Sequence, residues 1–150
     1  MHIRGQPIFH HEKERKMMTR YQYAVLRAVE LIGKGILPRQ AWERALEMED
    51  LKGKGCARAA FLGLCSEGII LKCKKGNYSR GCKNKEYAIK GLKYLIENPQ
   101  DVVLSPNRLW KKANIKKNFV NQTGYQMDIA IVLFINNLYN IKKVRSYNFS

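Results

Sequence analysis

The chain has 150 residues, 45% of them apolar and 10% aromatic, with 28 Lys and Arg against 12 Asp and Glu for a formal net charge of +16. That length and composition suit one compact folded unit and exclude a chain disordered by composition. The longest apolar run, 129–135, falls far short of the about 20 residues a membrane helix needs. The opening Met1-His2-Ile3-Arg4-Gly5-Gln6-Pro7 lacks the apolar core of a secretory signal, so a cytoplasmic protein with no membrane partner is expected.

Residues 1–18 hold all three histidines and the run Glu12-Lys13-Glu14-Arg15-Lys16. With no stable apolar face, they read as a mobile N-terminal tail. Thr19 is placed to cap a helix over 20–32, whose apolar side carries Ala24, Leu26, Ala28, Val29, Leu31 and Ile32. Pro38 opens a second, short helix that turns Trp42, Ala45 and Leu46 inward. A Lys/Gly loop follows, and a third helix is expected over 56–67, stopped at Gly68. Ile69-Ile70-Leu71, a glycine-bounded turn and a return strand describe a basic β-hairpin up to residue 82. Asn84 opens a fourth helix over 85–97, stopped by Asn98-Pro99. Ser105-Pro106 starts a fifth helix with Leu109 and Trp110, Thr123 caps a sixth that ends at Asn136-Asn137, and 139–149 reads as a terminal strand or ribbon.

The two halves align with each other. Tyr23-Ala24-Val25 with Leu31-Ile32 matches Tyr87-Ala88-Ile89 with Leu95-Ile96, and Pro38 with Trp42 and Ala45 matches Pro106 with Trp110 and Ala113. Residues 61–69 fall on 130–138, Gly68 over Asn137, and both of these residue types tolerate the left-handed conformation that closes a helix. The expected fold is therefore mainly α. It has two tandem three-helix units, an internal repeat over 19–82 and 83–150, packed as one compact domain. Each unit with its hairpin is winged-helix-like in outline. The third helix departs from that outline, because Arg58 is its only charged side chain between residues 57 and 65, and a groove-reading helix needs several polar tips.

The stretches Ala60-Phe61-Leu62-Gly63-Leu64-Cys65-Ser66-Glu67-Gly68, Gly76-Asn77-Tyr78, Lys83-Asn84-Lys85-Glu86-Tyr87-Ala88, Leu109-Trp110 and Gln126-Met127-Asp128 resemble a family of small bacterial proteins with no assigned function. The resemblance covers residues 20–140. It implies one shared fold across both halves, and it brings no activity and no site.

The residues offer little catalytic chemistry. Cys56, Cys65, Cys73 and Cys82 lack the close C-x₂₋₄-C pairs of zinc sites, so structural thiols are expected and no metal or other cofactor. Cys73 and Cys82 flank the hairpin and are placed to face each other. His10-His11 is weak as a metal pair, and no P-loop or G-x-G-x-x-G is present. Glu67, Glu86, Glu97, Asp101 and Asp128 are the only acids after residue 51, and helix-end charges explain them more simply than a metal-dependent nuclease does.

Charge carries the stronger signal. Residues 1–50 hold nine basic and seven acidic side chains, a balance of +2, whereas 51–150 hold nineteen and five, a balance of +14. Such a field attracts polyanions, of which nucleic acid is the commonest. The bland alternatives are solubility and a Lys-rich composition. The expected nucleic-acid-binding residues are Arg58, Lys72, Lys74, Lys75, Arg80, Lys83 and Lys85 around the hairpin and Lys111, Lys112, Lys116 and Lys117 in the matching loop. Tyr78 stands either as a base stacker or as a side chain packed back on the helices. Lys142, Lys143 and Arg145 form a third cluster. Lysine outnumbers arginine throughout, which suits backbone contact with DNA or RNA rather than bidentate base reading. The alternative partner is an acidic protein or nucleoprotein, with this chain as a small interaction module or inhibitor of the phage or mobile-element type. Enzymatic activity is the least supported reading.

Overall fold

The computed structural model describes residues 18–53 and 55–150. The tail expected over 1–18 lies, except for Met18, outside the described residues, and the three histidines lie there with it. Seven α-helices form among the described residues: α1 Arg20–Gly33, α2 Pro38–Met48, α3 Gly55–Ser66, α4 Lys83–Glu97, α5 Pro106–Lys112, α6 Gln126–Ile135 and α7 Ile141–Ser146. A 3-10 helix, Pro99–Val103, leads from α4 towards α5. No described helix is long and apolar enough to cross a membrane.

Local chemistry accounts for most helix starts. Thr19 caps α1 in a reciprocal box: its Oγ1 accepts from the Gln22 N–H at 3.1 Å, and Gln22 Oε1 accepts from the Thr19 N–H at 3.0 Å. Pro38 and Pro106 each occupy the first turn of a helix, where the missing N–H has no partner to lose. Asn84 and Thr123 do not cap as expected. α4 begins one residue before Asn84, and α6 follows Tyr125 without a side-chain cap on that residue. Both side chains instead accept from Gln126 Nε2 at 2.9 Å, a tertiary demand that overrides the local one.

The core is built around α6 and α4. Every residue of α6 from Gln126 to Leu133 is buried, as a helix apolar on all sides must be. The main cluster takes side chains from α1, α2, α3, α4 and α6, plus Val144 of α7. A smaller one gathers Leu95, Leu109, Trp110, Ile115, Met127 and Ile131. Trp42 and Phe61 stack at 4.9 Å between α2 and α3, both fully buried.

Two expectations about strands fail. The segment 71–81 is an irregular strap, not a hairpin, so neither unit carries a β wing among the described residues. Its pairing capacity is used elsewhere: the one isolated β-bridge described joins Ile70 to Tyr139, antiparallel. Leu71 N–H donates to Leu138 O at 3.2 Å, and Asn140 N–H donates to Ile69 O at 2.8 Å. The expected terminal ribbon is the helix α7, because Asn140 Oδ1 accepts from the N–H groups of Lys142 and Lys143 and Val144 anchors the turn in the core.

Candidate nucleic-acid interface

The strap lies across the last turn of α3. Gly76 N–H donates to Ser66 O at 3.2 Å, and Tyr78 N–H donates to Ser66 Oγ at 2.9 Å. Arg39 of α2 closes the other side by donating from Nε to Tyr78 O at 2.9 Å. Lys72 is held at φ 63°, a left-handed conformation that costs a non-glycine residue about 1 kcal/mol. Sequence reasoning missed Arg39, since nothing local ties residue 39 to residue 78.

The bridge between Ile70 and Tyr139 unites two basic clusters that stand far apart in the chain. A side chain at Gly68 would meet Lys75 Cβ at 3.6 Å and Lys143 Cε at 3.9 Å, so both lysines stand at the C-terminal end of α3. Lys72 similarly passes Gly33, at the end of α1, with its Cδ 3.6 Å from where a Cβ would lie. Helix C-termini attract cations, which explains these seats but not the density of charge around them. Lys72, Lys74, Lys75, Arg80, Lys83, Lys142, Lys143 and Arg145 are exposed, and none has a carboxylate in ion-pair range among the described residues.

Other expected site residues are differently engaged. Lys85 is half-buried, 2.8 Å from Glu67 in an ion pair and with its Nζ over the Tyr147 ring. Tyr78 is also half-buried; its hydroxyl donates to Lys74 O at 2.9 Å and its ring closes over Gly76. It thus packs on its own strap and against the main core. Arg58 donates to Glu43 Oε1 at 3.3 Å beside a shallow depression of about 390 Å³ that Arg39 also lines. In the 111–117 cluster, Lys112 pairs with Asp101 at 3.2 Å and Lys116 lies 4.0 Å over the Phe119 ring. Lys111 and Lys117 are exposed.

The acids serve separate structural contacts. Asp128 accepts from Gln122 Nε2 at 2.8 Å and Thr19 Oγ1 at 3.1 Å; burial pushes its carboxyl up, and these hydrogen bonds oppose the shift. No group of three or more His, Cys, Asp or Glu placed to hold a metal ion occurs among the described residues. A polar cleft of about 550 Å³ opens nearby, lined by Cys56, Asn107, Gln122, Thr123 and Tyr125.

Glu86, buried in the first turn of α4, accepts from Tyr147 Oη at 2.8 Å and from Ser150 N and Oγ at 2.9 and 3.1 Å. Burial works to raise its pKa, but the hydrogen bonds from Ser150 and Tyr147, with Lys90 nearby, hold it below the ordinary carboxylate value. A native pKa depressed below the unfolded value of about 4.3 gives stabilisation that is complete above that value and lost as pH falls through the native one. Amide exchange at Ser150, corrected for its intrinsic pH dependence, should therefore accelerate on acidification. In Glu86→Gln it should be about tenfold faster at pH 7 and lose that acid dependence. Protection that is the same in both proteins from pH 7 to 3 would disprove the tether.

A family model described as a family of unknown function, DUF6979, matches residues 18–140. The chain belongs to DUF6979. The DUF6979 region spans α1 to α6 and the strap, and ends at the Asn140 cap of α7. Among curated proteins and solved structures, none matches this DUF6979 chain.

Proposed function

We propose that this protein binds nucleic acid through sugar–phosphate contacts on a composite basic surface formed by the strap and α7. The carrying observation is the Ile70–Tyr139 bridge, which joins the start of the strap to the lead-in of α7 and goes with Lys75 and Lys143 standing together at Gly68. Buried α3 and α6 offer almost no polar tips, so contacts run through the strap and the short helix rather than a groove-reading helix. Lysine-rich, unpaired charge suits phosphate contact with little sequence preference. A cytoplasmic location goes with this reading.

The surface has a two-fold logic if the halves descend from one duplicated unit. The bridge supports that descent: Ile70 and Tyr139 are aligned positions, and the bond from Leu71 to Leu138 corresponds under the same alignment to the bond from Asn140 to Ile69. Helix closure is matched as well, with Ile69 N–H donating to Leu64 O and Leu138 N–H to Leu133 O, both at 3.0 Å, after Gly68 and Asn137 at φ 71° and 55°.

The test is affinity for short single- and double-stranded DNA and RNA across a salt series. Lys74→Ala/Lys75→Ala and Lys142→Ala/Lys143→Ala should each flatten the slope of log affinity against log salt by about 1.5–2, and Lys111→Ala/Lys117→Ala should do so less. Unchanged slopes in both of the first two variants overturn the reading; an effect of the strap variant alone overturns the composite surface. A second reading, docking on an acidic or nucleoprotein partner as an inhibitor would, rests on Phe119 and Val120, exposed at 46% and 64% beside Lys116 and Lys117. A partner retained after nuclease treatment and lost in Phe119→Ser/Val120→Ser would favour it.

A further inference from the structure

The cysteines do not pair as their positions around the strap suggest. Cys82 Sγ lies 3.5 Å from Ser150 Oγ, whereas Cys73 reaches back to α3, its Sγ 3.8 Å from Cys65 O and 3.7 Å from Lys74 O. Cys73 Sγ thus lies against Cys65 itself. Cys65 is fully buried beneath the strap, and Cys73 is half-buried on it. The Ser66 contacts and the Cys73 N–H bond to Ile70 O at 3.1 Å hold the strap over α3, so the surrounding backbone keeps Cys73 Sγ against Cys65.

The geometry points to Cys65 and Cys73 as a hydroperoxide-responsive thiol pair, with Cys73 the attacking sulfur and Cys65 the resolving one. The pair divides the roles by environment. The neighbouring Cys65 thiol lowers the pKa of Cys73 against the opposing effect of burial, whereas burial, then the neighbouring Cys73, raises that of Cys65. Thiolate character and access therefore fall on the same sulfur. Cys73 thiolate attacks the peroxide O–O bond, forming an S–O bond and releasing hydroxide, which leaves with a proton as water. Cys65 then forms the S–S bond as the sulfenic oxygen leaves with the Cys65 proton as a second water. Two thiols lose one electron pair in all to become one disulfide, one peroxide takes up that pair to become two waters, and a small-molecule dithiol reverses the step. The product would lock the strap onto α3. This chemistry is read on the sulfurs alone and stands independently of nucleic-acid binding.

The test uses full-length Cys56→Ser/Cys82→Ser, which keeps only the pair. Equimolar hydrogen peroxide should lower the intact mass of the monomer by about 2 Da and remove both free thiols, and dithiothreitol should restore them. In Cys65→Ala, Cys73 should instead accumulate a dimedone-trapped sulfenic acid; in Cys73→Ala, Cys65 should stay reduced and alkylate only after unfolding. Melting curves verify that the variants fold, and the double-serine protein alone decides the matter if Cys65→Ala does not. Two thiols retained after peroxide, or oxidation yielding only intermolecular dimers, overturns the assignment. So does a wild-type disulfide mapped to Cys56 or Cys82.

Discussion

Trp42→Ala should destabilise the protein by about 3–5 kcal/mol, a midpoint fall on the order of 10 °C or more for a chain of this size. Trp42 has no exposed surface and stacks on Phe61 at 4.9 Å with an interplanar angle of 21°. It is the large side chain that seals α2 against α3, and truncation opens a cavity that fixed helix backbones cannot close. The indole Nε1–H is buried without an acceptor among the described residues, so Trp42→Phe keeps a stacking ring while removing that donor. That variant should lose about 1–2 kcal/mol, well short of alanine. Urea titration of the three proteins checks the order. A Trp42→Ala loss below about 1 kcal/mol would mean that α2 is peripheral to the core.

Gly63→Val should cost about 2–3 kcal/mol through overpacking, whereas Gly91→Ala should fall within about 0.5 kcal/mol of the parent. Both glycines sit inside helices, where glycine is intrinsically poor by about 1 kcal/mol relative to alanine. Their surroundings separate them. A Cβ at Gly63 would lie 2.5 Å from Lys85 Cβ, an atom fixed to the α4 backbone, so α3 and α4 would have to part. Separation would also break the half-buried pair of Lys85 with Glu67. At Gly91 the nearest atoms are Met127 Cε and Sδ at 2.7 Å, the end of a pliant thioether chain that can swing aside. The gain in helix propensity then offsets the repacking. Equal losses in the two variants, read by urea or thermal midpoints, would refute this account of α3–α4 approach.

Helices α1, α2, α3 and α5 were legible because their signals are local: the Thr19 cap, the prolines at first turns, the apolar faces and the Gly68 stop. The character of α3 as core was legible too, from its lack of polar tips. Strand propensity at Ile69-Ile70-Leu71 was real, but its partner lay at Tyr139, nearly seventy positions on, and a glycine-bounded turn made a local hairpin the simpler expectation. Likewise, Lys85 and Lys74 are the same residue type in one basic run. Only packing separates a lysine buried against Glu67 from one open to solvent.

The sequence by itself determined a helical, lysine-rich chain with charge concentrated after residue 50, because composition, capping and periodicity act over a few residues. Tertiary structure alone decided that the strap and α7 share one surface and that Cys73 faces Cys65 rather than Cys82. It also decided that Gln126 and Asp128, in the first turn of α6, are buried. These outcomes depend on which distant backbone groups satisfy each other once the core has closed, and no local pattern encodes that choice.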